Sequence, residues 1–297
     1  MIQNQIINQA INFIISHTDS EITVDDVAKC CGFSKFYISR LFKAETGESI
    51  YAFIKRTKVE QSAWRLKVEQ SRSITEIGTD YGYSASNYAT LFKQYYDMTP
   101  VRFRKEIVKK SIAHPFYHGV NNKLETYEEC CKKITIEMLP DYFVLYERFK
   151  DNYHSLSKTW CEFTEQYKDF ITDKTLFLEL TYEDPSLANK DSCLFDVCMT
   201  VDKNDPRLTA QKTAAVGITS AAGTEPSPNT MTIKGGKFAV YHYCGYPQMI
   251  YSAYQSFFCS WLVATGNQVD SRNGFDIYRK IDDKTLYMEL DICIPIK

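Results

Sequence analysis

Hydrophobic residues in the front third of the chain recur at helical spacing and are interrupted by glycine at regular intervals. From about residue 132 onward they alternate, or gather in short runs of strand length. The two regimes predict an all-α domain followed by an α+β domain, in a chain of 297 residues, about twice the usual domain size. The front third also repeats itself at an offset of 50 residues. Val24, Val27, Gly32, Phe33, Ser34, Leu41, Phe42 and Lys43 recur as Ile74, Ile77, Gly82, Tyr83, Ser84, Leu91, Phe92 and Lys93. Each copy opens on a helix-start pattern, Thr23 with Asp26 and Ser73 with Glu76, and runs into a short amphipathic helix, "VDDVAKC" or "ITEIGTD". A Gly, an aromatic residue and a Ser follow, in "CGFS" and "YGYS": the Gly ends one helix and the Ser caps the next, "KFYISRLFKAE" or "SNYATLFKQYY". Two short helices across a tight turn make a helix-turn-helix, whose second helix enters the DNA major groove. Between the copies, Ser49 to Gln70 holds no Gly or Pro and reads as one long helix, with Ile50, Phe53, Ile54, Ala63 and Leu66 available for burial. Such a connector sets the two recognition helices to read major-groove segments about 34 Å apart.

Composition narrows the class. With 24% charged and 44% hydrophobic residues the chain is neither disordered nor collagen-like. No apolar run is long enough to span a membrane, Met1 to Ser20 has no leader pattern, and the ten cysteines include the adjacent pairs Cys30–Cys31 and Cys130–Cys131, unsuited to bridging. A cytoplasmic protein with reduced thiols is expected. The net charge of −2 averages two unlike parts: residues 1–107 hold 14 Lys and Arg against 12 Asp and Glu, net +2, and residues 108–297 hold 21 against 25, net −4. A DNA-facing front and an independent acidic back are compatible with that division. Lys35, Arg40, Lys43, Lys55, Arg56, Lys58, Arg65, Lys67, Lys93, Arg102, Arg104 and Lys105 are candidates for phosphate contacts.

The run "VDDVAKCCGFSKFYISRLFKAETGESI", with "ITEIGTDYGYSASNYATLFKQYYDMTPVRFRK", resembles the two-part DNA-binding domain of AraC/XylS-type transcription regulators over about residues 5–107. The resemblance implies promoter recognition by two helices in double-stranded DNA and contact with RNA polymerase. It places Phe36, Ser39 and Arg40 of the first recognition helix against DNA. Lys35 and Lys43 of that helix, and Ser86, Asn87, Thr90 and Lys93 of the second, complete the candidate DNA-binding set. Two departures stand out: the second unit is one residue shorter than usual between Gly82 and Phe92, and Thr90 stands where the family commonly has Arg, which removes a bidentate contact.

Residues 108–130, with "HPFYHGVNN" at their middle, read as a linker, so that the domains are 1–107 and 131–297. The back domain is itself duplicated. "KKITIEMLPDYFVLYERF", "LSKTWCEFTEQYKDF", "LFLELTYED" and "SCLFDVCMTV" are answered by "NTMTIKGGKFAVYHYCG", "QMIYSAYQSFFCSWLVAT", "GFDIYRK" and "KTLYMELDICIPI". Each half is two strands, a helix and two strands, which suggests pairing about a pseudo-two-fold axis. The last strand alternates, with Leu286, Met288, Leu290, Ile292 and Ile294 on one face and Glu289, Asp291 and Cys293 on the other. Acids beside aromatic strands suit a cationic ligand; an ordinary water-facing surface has the same pattern.

The segments "LPDYFVLYERF", "TYEDP", "LFDVCMTVD", "IKGGKFAVYHYCGYP", "SWLVATG", "FDIYRK" and "MELDICIPIK" resemble the GyrI-like small-molecule-binding domain over about residues 132–297. That resemblance implies two βαββ-type halves around a ligand cleft, with an acidic residue four places before the terminal Pro. Counting from Pro295 this is Asp291, with Glu289 as the alternative. Tyr146, Trp160, Phe195, Tyr243 and Tyr278 fall on cleft-facing elements by the same resemblance, or belong to the core.

No catalytic fingerprint of a hydrolase, NTPase, metalloprotease or dehydrogenase is present, and no cofactor or metal is expected. His114 and His118 flank Pro115 without a third ligand, Cys193 and Cys198 read as small buried hydrophobes, and "IKGGKF" reads as a hairpin turn. The two resemblances in this order match Rob-like members of the AraC/XylS family. The expected protein is a regulator, an activator acting as monomer or weak dimer and not an enzyme, whose back domain binds a small cationic or amphipathic effector. A hydrolase acting on the bound compound and a constitutive activator are the alternatives.

Overall fold

The second helix-turn-helix differs from the first by a paired exchange inside its core. Ala28 and Ile38 of the first copy become Gly78 and Tyr88 in the second, and a Cβ on Gly78 would stand 2.8 Å from the Tyr88 ring. The structure, a computed structural model, describes residues 1–112, 123–151, 156–184, 187, 193–208, 228–282 and 284–297. Seven helices build the front domain: α1 Gln5–Ser16, α2 Val24–Cys31, α3 Lys35–Thr46, α4 Ile50–Val68, α5 Ile74–Asp80, α6 Ala85–Tyr96 and α7 Pro100–Ile112. The expected caps are all in use. Thr23 with Asp26 and Ser73 with Glu76 form capping boxes, Ser34, Ser49 and Ser84 cap α3, α4 and α6, and Gly32 takes a φ of 73° at the end of α2.

Helix α4 belongs to both units. Its first turns put Ile50, Phe53 and Ile54 into a core with Ile7, Ile11, Ile14, Val27, Ile38 and Phe42. Its last turns put Val59, Ala63 and Leu66 among Ile77, Tyr88, Leu91, Phe92, Phe103 and Ile107. A single rigid helix thus sets one recognition helix relative to the other.

Between the domains, α7 runs to Ile112 and α8 spans Tyr127–Cys131, so the stretch expected as linker is helical at both described ends. Cys130 is buried in the back domain beside Phe257 and Trp261. His114 and His118 lie outside the described residues.

The back domain is one antiparallel sheet of eight strands: β1 Ile134–Leu139, β2 Tyr142–Asp151, β3 Phe177–Thr181, β4 Cys193–Thr200, β5 Asn229–Ile233, β6 Gly236–Gly245, β7 Phe275–Ile281 and β8 Met288–Pro295. Their order is β1-β6-β8-β7-β3-β4-β2-β5. Exchanging β1 with β5, β2 with β6, β3 with β7 and β4 with β8 turns this order into its own reverse, so the halves are related by a pseudo-two-fold axis between β3 and β7. Each half lends its first strand to the other: β1 pairs with β6 and β5 with β2. The turn at "IKGGKF" is therefore not the hairpin expected, because β5 and β6 are not paired. It crosses the β1–β2 connection so closely that a Cβ on Gly235 would lie 2.2 Å from the Leu139 carbonyl oxygen.

Helix α9 (Leu156–Gln166) and helix α10 (Pro247–Ser256), the latter continued by a π-helical segment Phe257–Leu262, cover the same face of the sheet. Beneath α9 lie Leu145, Phe149, Phe195, Val197 and Met199; beneath α10 lie Tyr241, Tyr243, Leu290, Ile292 and Ile294. Tyr146, Leu178, Cys198, Phe238, Ile277 and Cys293 pack on the opposite face. Near that face α1 docks: Arg148, fully buried, forms a bidentate pair with Asp196 (2.8 and 2.7 Å) and donates to Asn12 Oδ1 at 2.8 Å. Among the described residues no helix is long and apolar enough to cross a membrane.

Candidate functional site

The two recognition helices leave their outer faces in solvent. On α3, Lys35, Phe36, Arg40 and Lys43 are exposed, Phe36 to 84%, and Ser39 is half-buried. On α6, Ser86, Asn87, Thr90 and Lys93 are exposed. Lys35 pairs with Asp25 at 2.8 Å, and the Thr90 hydroxyl donates to the Ser86 carbonyl at 3.0 Å. Arg40, Lys43 and Lys93 make no ion pair among the described residues. A large apolar side chain in water beside free cations is the arrangement for phosphate contact with apolar readout of a base edge.

Five of the cations read from sequence as phosphate partners are instead internal. Arg56 binds Glu48, Glu60 and Glu183; Lys58 donates to the Ser20 and Tyr81 carbonyls at 2.6 and 3.1 Å; Arg65 pairs with Asp80; Lys67 pairs with Asp184; and Arg104 donates to the Arg72 carbonyl. All lie where α4 and α7 meet other elements, and a buried cation needs partners. Composition counts such residues toward a basic surface although Arg56, Arg65 and Lys67 neutralise acids within the protein, and Lys58 and Arg104 are spent on backbone carbonyls.

The second site is a cavity of about 1080 Å³ between α9, α10 and the middle strands β3 and β7. At its floor Glu179 of β3 and Asp276 of β7 are directly paired residues, so both side chains rise from the same face beside the pseudo-two-fold axis. They are 4% and 5% exposed, and neither makes an ion pair among the described residues. Their partners are neutral. Tyr278 donates to Glu179 Oε2 at 2.7 Å, with Thr181 as a further donor, and Tyr254 donates to Asp276 Oδ2. Burial raises the pKa of both carboxyls; Glu179 raises that of Asp276 further, and the hydrogen bonds oppose the shift. Tyr254, Tyr278, Trp160, Phe177 and Phe258 supply aromatic walls.

Of the residues expected in the cleft, Trp160 and Tyr278 line the cavity. Asp291 does not. It faces the other side of the sheet, where it accepts from Arg279 Nε at 2.7 Å and lies 2.7 Å from His242 Nδ1. Strand alternation decides this: Ile292 and Ile294 line the cavity, so Asp291 and Glu289 point away. Glu289 lies 3.9 Å from Lys280 near solvent. Tyr146 also lies on the far face, its hydroxyl accepting from Asn12 at 3.2 Å. Phe195 is packed beneath α9, and Tyr243 beneath α10 with its hydroxyl on the Tyr246 carbonyl at 2.6 Å. The acids missed are Glu179 and Asp276. Their signal was present in "LFLELTY" and "GFDIYRK", where one carboxylate stands directly between apolar residues, Leu178 and Leu180 in the first and Phe275 and Ile277 in the second. Among the described residues no cluster of three or more His, Cys, Asp or Glu has the arrangement to hold a metal.

Comparison with known proteins agrees with this division. A family model described as "Helix-turn-helix domain" matches residues 27–106, and one described as "GyrI-like small molecule binding domain" matches residues 132–297. The Regulatory protein SoxS of Salmonella typhimurium is 32% identical over 108 residues, 36% of this chain and 100% of that protein. The Multiple antibiotic resistance protein MarA of Escherichia coli is 29% identical over 115 residues, 38% of this chain and 90% of that protein. A cryo-EM structure of an EcmrR–DNA complex is 13% identical, covers 92% of this chain and 98% of that one, and has a TM-score of 0.44. The match over residues 132–297 takes in more than half the chain, which thus belongs to the GyrI-like family and, with its AraC-type front domain, is a DNA-binding transcription regulator of Rob-like architecture.

Proposed function

We propose that the chain is a transcription activator whose cavity senses a lipophilic organic cation. The observation that carries the reading is the Glu179–Asp276 pair: two carboxyls side by side, buried, with only neutral partners, on the floor of an aromatic chamber. Two such groups resist joint ionisation. A cation placed between them offsets that repulsion, and the faces of Trp160, Tyr254 and Tyr278 add cation–π attraction. A neutral ligand of the same shape gains the apolar contact alone. In this reading the front domain engages promoter DNA as a monomer or weak dimer through α3 and α6, inside the cytoplasm, and presents the complex to RNA polymerase.

The test is calorimetric titration of the full chain with tetraphenylphosphonium and with its neutral relative triphenylphosphine oxide. Tight binding of the cation alone, lost in Glu179→Gln and in Asp276→Asn, supports the reading; equal binding of both compounds refutes it. A second reading, turnover of the bound compound, is favoured by the two acid–tyrosine pairs, which hold the elements of general acid–base catalysis. Product analysis after incubation with ester probes separates a sensor from an enzyme.

A further inference from the structure

The cavity is not built by the back domain alone. Helix α4, the rod that spaces the recognition helices, contributes Glu60, Gln61, Trp64 and Arg65 to its wall, and Asp80 and Tyr81 follow from the end of α5. Glu60, Trp64 and Lys67 lie at successive turns of one α4 face, and each engages the back domain or its partners. The Trp64 ring meets the Phe258 ring edge-on at 5.8 Å. Glu60 and Glu183, one from each domain, share the Arg56 guanidinium at 2.8 and 2.6 Å. Lys67 closes the seam on Asp184 and Gln255, both at 2.6 Å. The chamber therefore has two acidic ends: the Glu179–Asp276 floor in the back domain, and the Glu60–Glu183 pair at the seam, where Arg56 and Lys150 meet three carboxyls, Glu48 included, and an indole stands alongside. At about 1080 Å³ it exceeds the usual range for one compact ligand, roughly 300–1,000 Å³.

We propose that the effector site is shared by the two domains and takes an elongated aromatic dication, one charged end on Glu179 and Asp276 and the other against Trp64 and Glu60 of the DNA-binding domain. This rests on the cavity being the effector site. A ligand held so makes its full set of contacts only while α4 stays docked on the back domain, and it therefore favours that docked arrangement over any other. The signal needs no relay through the sheet, since the effector touches the helix that positions both recognition helices.

The experiment titrates the full chain with a decamethylene-linked bis-quinolinium and with a single-headed N-decylquinolinium. The dication is expected to bind about tenfold more tightly, the size of one added aromatic and charge contact. Trp64→Leu and Glu60→Gln are each expected to erase that advantage and leave the single-headed affinity within about twofold of the parent. Glu60→Gln keeps the side-chain shape and an acceptor for Arg56, and a thermal melt of each variant separates loss of the contact from loss of the fold. Glu179→Gln is expected to weaken both probes. Equal affinity of the two probes, or an advantage that survives both α4 substitutions, overturns the shared site. If the advantage is lost in the α4 variants while Glu179→Gln changes nothing, the shared wall stands and the floor acids lose their role. If neither probe binds, both readings fall.

Discussion

Lys67 Nζ stands 2.6 Å from Asp184 Oδ2, with 0% and 1% of the two side chains exposed, and this pair ties the last turn of α4 to the segment that follows β3. Gln255 of α10 accepts from the same ammonium at 2.6 Å, and the Phe258 ring lies 5.6 Å away. Removing one charge leaves the other desolvated without its counterion, so Lys67→Met and Asp184→Asn are each expected to cost about 3–5 kcal/mol. Replacing both, as Lys67→Met with Asp184→Leu, is expected to recover most of that loss. Denaturant unfolding of the three variants checks the pattern; independent, additive losses would contradict it.

Arg40 and Arg56 look alike in sequence, each on a helix of the DNA-binding domain, and the structure separates them. Arg40 projects from α3 into solvent, whereas Arg56 is enclosed by Glu48, Glu60 and Glu183. Arg40→Ala is expected to weaken specific DNA binding by about 1–3 kcal/mol with little change in stability. Arg56→Ala is expected to lower the unfolding temperature and to leave the salt dependence of DNA binding as it was. Salt-series binding isotherms with thermal melts decide the assignment; a reduced salt slope in Arg56→Ala would place that residue on phosphate.

Much of the front domain was legible because its determinants are local. Capping residues, helix-ending glycines and the offset of 50 residues each act within a turn or two, so Thr23, Ser34, Gly32 and their counterparts mark real element ends. The back domain's strands were equally readable, their pairing was not. The exchange of β1 and β5 between halves joins residues about a hundred positions apart, and nothing near Ile134 announces Tyr241 as its partner. The cleft acid went astray for a related reason. Alternation along β8 correctly put Asp291 opposite Ile292, yet which face carries α9 and α10 is decided by packing elsewhere. Likewise the buried cations of α4 became visible as internal only when Glu183 and Asp184 arrived from the other domain.

Titration of the cavity acids makes ligand affinity depend on pH. Burial raises Glu179 and Asp276 above the ordinary carboxyl range, and burial together with Glu183 pushes Glu60 up to about 8. Acids whose pKa rises on folding stabilise the protein fully below their unfolded values, about pH 4, and that contribution is lost as pH climbs through the folded values. The unliganded protein is thus expected to lose stability relative to Glu179→Gln and Asp276→Asn as pH rises from about 4 through the raised folded values of the two acids. Binding of a cation should strengthen over the same interval, because the ligand favours the ionised acids. Asp291→Asn, which removes a carboxyl on the far face that contributes least to the raised Asp276 pKa, should move the binding profile far less than Asp276→Asn does. Calorimetry at a series of pH values measures it, and a flat profile would show that the floor acids do not meet the cation.

Gly78 offers a test of packing independent of any ligand. In a helix interior, Gly→Ala ordinarily stabilises by about 0.5–1 kcal/mol because it removes backbone freedom from the unfolded chain. At position 78 the added methyl would meet Tyr88 Cδ1 at 2.8 Å and Cγ at 2.9 Å, and the ring has little room to yield. Tyr88 is 1% exposed, its hydroxyl donates to Ser62 at 3.0 Å, and Phe92 lies against it with ring centroids 5.5 Å apart. Overpacking of this kind costs about 1–3 kcal/mol, which outweighs the entropic gain, so Gly78→Ala is expected to destabilise the second helix-turn-helix. The first copy indicates the remedy, since Ala28 there faces Ile38. Adding Tyr88→Ile to Gly78→Ala should return part of the loss, limited by the lost hydrogen bond to Ser62, whose own hydroxyl still donates to the Val59 carbonyl at 2.7 Å. Unfolding free energies of both single variants and the double variant give the coupling directly. A double variant no more stable than the sum of its parts would mean that the two copies are not packed alike.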